Sequence, residues 1–121
     1  MLTCTRGNSW LAISQITFAS RFNHPNLKAI APWEALTDPY KHHLCRGGKP
    51  TPIEFIELIT GGLAGTGNVE DVGAMLKKRP LYDSYWESKA IVPENIRDIP
   101  MYLTASYSYV PCYCVIYVKL T

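Results

Sequence analysis

Gly7-Asn8-Ser9-Trp10-Leu11-Ala12 lies between a short β-prone lead, residues 1–6, and a helix-forming run over residues 10–22. A serine at such a junction reads as a nucleophile elbow. It occupies a strained turn between strand and helix, its Oγ projects free of the backbone, and small neighbours let the two elements approach closely. Gly7 stands two residues before Ser9 and Ala12 three after it, whereas the G-x-S-x-G form would place a second glycine at Leu11. The local pattern leaves another reading open, in which Asn8 or Ser9 is the N-cap of the following helix and nothing more.

The run from Trp10 to Phe22 places Ala12, Ile16 and Ala19 on one face with Leu11, Phe18 and Phe22 beside it, an apolar surface wide enough for a buried helix. Asn23-His24-Pro25-Asn26 is turn chemistry, and Leu27-Lys28-Ala29-Ile30-Ala31 is predicted as a short strand ending at Pro32. Strand, helix and strand in this order make a βαβ crossover, the unit of a parallel sheet. Beyond Pro32, aromatics, His42-His43 and Gly47-Gly48-Lys49-Pro50 predict a long connection. Residues 52–59 are predicted helical, ended by Gly61-Gly62. A second helix is predicted from Gly67 or Asn68, with Glu70 and Asp71 in its first turn and Lys77-Lys78 in its last, stopped by Pro80. A third, over 82–89, carries Tyr85 and Trp86, and Pro100-Met101-Tyr102-Leu103-Thr104-Ala105 is predicted as a buried returning strand.

Composition bounds the function. A chain of 121 residues with 47% hydrophobic and 18% charged residues is one domain that needs a packed core. The net charge of +2 comes from interspersed signs, and Lys77-Lys78-Arg79 is too short a basic cluster to indicate nucleic-acid binding. No stretch is long and apolar enough to span a bilayer and no signal-peptide pattern opens the chain, so no membrane association is expected and the cytoplasm is the default compartment. The four cysteines, Cys4, Cys45, Cys112 and Cys114, suggest no disulfide framework. Cys112 and Cys114 with His42, His43 and Cys45 have the ligand types of a zinc site at spacings poor for a closed tetrahedral one, so no metal is expected.

Together these features resemble the X-Pro dipeptidyl-peptidase-like α/β-hydrolases, the family of the cocaine esterases and related acylases, over residues 7–108. The resemblance is carried by the pairing of the elbow with Lys28-Ala29-Ile30-Ala31-Pro32-Trp33-Glu34, the segment that ends the next strand, and by Thr37-Asp38, Tyr40, the Trp86 helix and Ile99-Pro100-Met101-Tyr102-Leu103-Thr104-Ala105. It implies an α/β chain, a partial α/β-hydrolase fold with a parallel sheet fragment. Residues 1–32 would form the elbow and βαβ unit, 33–98 a helical cap insertion and 99–108 the returning strand, with 109–121 an unmatched tail. It implies acyl transfer to water without a cofactor, on a small ester or a short peptide with proline next to its N-terminal residue. Ser9 would be the nucleophile and the backbone N–H of Trp10 an oxyanion donor. Trp33, Tyr40 and Trp86 either line an acyl or leaving-group pocket or pack as core and cap.

The chain also departs from the family. The hydrolase order is serine, then acid, then histidine, yet His24, His42 and His43 all come early, and Ser106-Tyr107-Ser108-Tyr109-Val110 holds no carboxylate where the acid is due. The adjacent histidines are expected to be solvent-facing residues of the connection. Strands before the elbow, with the second oxyanion donor, are absent as well. The sequence therefore reads as an internal fragment of a serine hydrolase, inactive alone. The alternatives are a non-catalytic truncated product, and a small interaction module built on the aromatic alternation of Tyr107, Tyr109, Tyr113 and Tyr117.

Overall fold

The computed structural model describes residues 3–63, 66–96 and 98–105. The readings made on residues 106–121, including the aromatic alternation and Cys112 and Cys114, lie outside the described residues.

The βαβ unit is built as its periodicity requires. Strand β1 (Thr3–Asn8) runs parallel to β2 (Leu27–Trp33), joined by helix α1 (Trp10–Arg21). Ala12, Ile16 and Ala19 of α1 are buried against Leu27 and Ile30 of β2, with Ala35 and Ile91 completing the cluster. Complete burial of Ile16 and near-complete burial of Ile30 contribute about 2 kcal/mol each. Gln15 fastens helix to sheet from inside this interface: its Nε2 donates to Leu11 O, and its Oε1 accepts from Thr5 Oγ1 and from the backbone N–H of Ala31. The apolar margin of α1 is not buried as expected: Leu11, Phe18 and Phe22 stay exposed, because the described residues cover only one side of the helix.

Strand β2 does not end at Pro32. Proline removes one ladder donor but keeps its carbonyl, and Pro32 O accepts from Thr104 N while Trp33 O accepts from Ser9 N. Residues 101–104 lie on the other side of β2 from β1, through parallel bridges at Ile30 with Met101 and Trp33 with Thr104. This returning segment is less enclosed than a buried strand, since Tyr102 is 69% exposed.

Between β2 and the returning segment lies a helical segment with its own core. The connection after Glu34 is more ordered than its turn-rich sequence indicates: a π-helical turn over Tyr40–Leu44 leads into a hairpin of β3 (Cys45–Arg46) and β4 (Lys49–Pro50). Gly47 and Gly48, at φ 59° and 80°, supply the two left-handed residues of its turn. Helix α2 (Ile53–Leu63) continues through Gly61-Gly62 rather than ending at them. Helix α3 (Val72–Lys78) starts later than expected, since Asp71 accepts from Ala74 N as its N-cap and excludes Glu70 from the first turn. Asp83 caps α4 (Ser84–Lys89), accepting from the N–H groups of Tyr85 and Trp86. Trp86, Tyr40, Leu44, Cys45, Ile56 and Leu76 form the second core. Among the described residues no helix is long and apolar enough to cross a membrane, and no three metal-ligating side chains gather.

His42 and His43 are half-buried in this segment rather than solvent-facing. His42 Nδ1 accepts from Asp38 N, and the His43 ring lies 5.7 Å from that of Phe55. Burial pushes both imidazoles below their ordinary value. Asp38 opposes this at His42 and Lys41 adds to it, while Arg46 adds to it at His43. A depressed folded-state pKa means that the unfolded chain binds more protons between the folded and unfolded values. The associated stability is complete above the ordinary histidine pKa of 6.5 and is lost as pH falls through the lower folded values. Thermal melts across that window should show a falling midpoint on acidification, and replacing both histidines by glutamine should flatten the slope. An equally steep slope in the double variant would contradict this assignment.

Candidate active site

β1, β2 and the returning segment are all parallel, so their carboxyl ends share one rim, where open α/β sheets bind ligands. Ser9 stands on this rim between the last residue of β1 and the first of α1, at φ 54° and ψ −119°. An L-residue with a side chain occupies such a region at a cost of about 1–3 kcal/mol, and persists there only where its surroundings over-determine it. The surroundings here are specific. Ser9 N donates to Trp33 O at 2.9 Å, and Ser9 O accepts from the N–H groups of Ala12 and Ile13, also at 2.9 Å.

Gly7 makes the turn possible from the strand side. A Cβ at this position would fall 2.5 Å from Leu11 Cβ and 2.9 Å from Gln15 Nε2, so helix and strand approach more closely than any side chain allows. The simple N-cap reading does not describe the junction: Ser9 Oγ makes no capping hydrogen bond, and the Asn8 side chain is directed to Glu34 instead. Ser9 is exposed. As the first residue of α1, Trp10 carries one of the N–H groups that helix geometry leaves without an intrahelical acceptor, at the positive end of the helix dipole.

Serine at left-handed φ gives a stability prediction. Ser9→Gly relieves strain of about 1–3 kcal/mol but adds about 0.5–1 kcal/mol of unfolded-state entropy, so a net gain of about 1 kcal/mol is expected in denaturant unfolding. A variant less stable than the parent would show that Ser9 is not strained.

The aromatic candidates separate. Trp33, 50% exposed, stays on the rim beside the elbow, its backbone paired with Asn8. Tyr40 and Trp86 instead belong to the second core, their ring centroids 5.3 Å apart; Trp86 has no exposed surface, and Trp33 is not a member of that cluster. Both polar tips are occupied: Tyr40 OH donates to Pro80 O and Trp86 Nε1 to Arg79 O. The Tyr40 phenol is pushed upward, first by its hydrogen bond with Cys45 and then by burial. Two apolar clefts, of about 420 and 430 Å³, flank β1, and neither is lined by Ser9. The early histidines are placed away from the elbow. His42 and His43 lie in the helical segment, and His24 lies beyond the far end of α1.

Sequence alone offers Asn8 only the reading of a possible N-cap and Glu34 only a place at the end of the segment that closes β2, and assigns neither to the site. Glu34, at φ 52°, is with Ser9 one of the two left-handed non-glycine residues among those described. The available signal was register: the glutamate that follows the buried proline and Trp33 falls beside the residue before the serine once β1 and β2 are paired.

No family model and no curated protein matches the chain. Among solved structures it is similar to two crystal structures of a CocE/NonD family hydrolase from Staphylococcus aureus. One has TM-score 0.69 and 32% identity over 78% of this chain, the other TM-score 0.66 and 30% identity over 79%. The chain spans only 18% of the length of either. At the level of a fragment, therefore, this parallel sheet with its helices is similar to the α/β-hydrolase-like fold of the CocE/NonD hydrolases.

Proposed function

We propose that the chain is the elbow-bearing part of a serine hydrolase, with Ser9 as nucleophile and the helices between β2 and the returning segment as a cap. The strained, exposed Ser9 at the strand–helix junction, its Oγ not spent on capping, is the observation that carries this reading. Ser9 Oγ attacks an ester or amide carbonyl carbon and its proton passes to a base. The tetrahedral intermediate expels the alcohol or amine, which takes up a proton, and water then releases the acyl group. The N–H of Trp10 donates to the developing oxyanion, a contact of the kind worth about 3–4 kcal/mol of barrier. Small esters or short peptides of the X-Pro type are the substrate class. Acid and base are supplied from outside the described residues, and the chain alone hydrolyses at background rates.

The test places residues 3–105 into the matched segment of the staphylococcal hydrolase and exposes the folded chimera to a fluorophosphonate probe. Covalent labelling at Ser9, lost in Ser9→Ala, is expected, with labelling of the isolated chain near background. A folded chimera left unlabelled would overturn the nucleophile reading, and strong labelling of the isolated chain would overturn its inactivity.

A further inference from the structure

The two strained residues on the rim are mechanically connected. Asn8 Nδ2 donates to Glu34 Oε2 at 2.8 Å, the Glu34 backbone N–H donates to Thr104 O at 2.9 Å, and between these tethers Ser9 N donates to Trp33 O at 2.9 Å. Thr104 thus holds Glu34 in its left-handed conformation, Glu34 holds the side chain of Asn8, and Asn8 is the residue whose backbone enters the turn at Ser9. A positive φ at a residue with a side chain requires that the surroundings leave it no alternative, and this relay supplies the constraint from the strand that does not contain the serine. The contact is charge-assisted, the stronger class of hydrogen bond, and lies on the exposed rim.

We infer that Glu34 is a positioning residue for Ser9, acting through Asn8 to hold the elbow in the conformation that projects Oγ from the rim. The inference rests on the reading of Ser9 as the reactive residue for its functional meaning, while the geometric relay has its own readout. Glu34 touches no reacting atom in this role.

The test follows Ser9 by NMR in the full chain, through its amide exchange and its Cα and Cβ shifts. Asn8→Asp sets two carboxylates against each other. Ser9 amide exchange should rise about tenfold, the effect of losing one hydrogen bond to a charged group, with its carbon shifts displaced and the Ile16 and Trp86 amides unchanged. The pair Asn8→Asp with Glu34→Gln should restore the parent values, since the glutamine amide donates to the aspartate and rebuilds the bond with reversed polarity. Asn8→Ala introduces no charge and gives the same displacement should the aspartate variant not fold. Unchanged Ser9 signals in Asn8→Ala and Glu34→Ala, or a loss that the reciprocal pair does not rescue, would overturn the inference. An unlabelled chimera would remove the nucleophile reading and leave these signals as they are.

Discussion

Trp86→Ala is expected to destabilise the protein by about 3–5 kcal/mol, the range for truncating a buried tryptophan, against a total for small domains of about 5–15 kcal/mol. Three losses combine. The indole is fully buried, so its removal leaves a cavity in the second core. Its ring partners Tyr40, at 5.3 Å, and Tyr85, at 4.8 Å, lose their packing surface. The carbonyl of Arg79 loses the Nε1 donor at 2.9 Å. Trp86→Phe, which keeps an aromatic ring but no donor, should cost less. Denaturant unfolding followed by far-UV circular dichroism measures both, and an alanine variant within 1 kcal/mol of the parent, roughly the scale of a surface change, would contradict the assignment of Trp86 to a core rather than an open pocket.

Gly7→Ala should be almost as damaging despite adding a single methyl group. Overpacking costs about 1–3 kcal/mol, and the upper end applies here because one of the obstructing atoms is backbone, Leu11 C at 3.3 Å, which side-chain rotation cannot clear. Part of the cost falls on function. Moving α1 away from β1 shifts Ser9 from its bond to Trp33 O, so in the hydrolase chimera the alanine variant should lose fluorophosphonate labelling even where it still folds. Retained labelling with unchanged stability would show that the close approach is dispensable.

Legibility from sequence followed locality. The βαβ unit could be read because its signals are short-range: helical spacing of Ala12, Ile16 and Ala19, turn residues after Phe22, and a glycine two residues before Ser9. The helices predicted from Gly67 or Asn68 and from Tyr82 start a few residues later, at Val72 and Ser84, because Asp71 and Asp83 are the side chains that accept from the first free helix N–H groups, a choice among nearby polar residues that spacing alone does not make. Glu70 is instead drawn to Lys89, at 2.5 Å, and to the hydroxyl of Tyr85, contacts between residues distant in sequence. The split of Trp33 from Tyr40 and Trp86 was equally hidden, since an aromatic side chain looks the same in sequence whether it fills a core or faces a rim. Glu34 became visible only when strand register brought it to Asn8.

The link from Thr104 to Glu34 also orders events in time. β1, α1 and β2 are consecutive and can close over a short loop, whereas the bridges of Ile30 with Met101 and Trp33 with Thr104 require the whole helical segment to be traversed first. Loop closure at such separation is slow and comes after local structure has formed. The tether on Glu34 is therefore expected to form last, when the returning segment docks, so a chain still emerging from the ribosome can hold Ser9 through Trp33 O before Thr104 fixes Glu34.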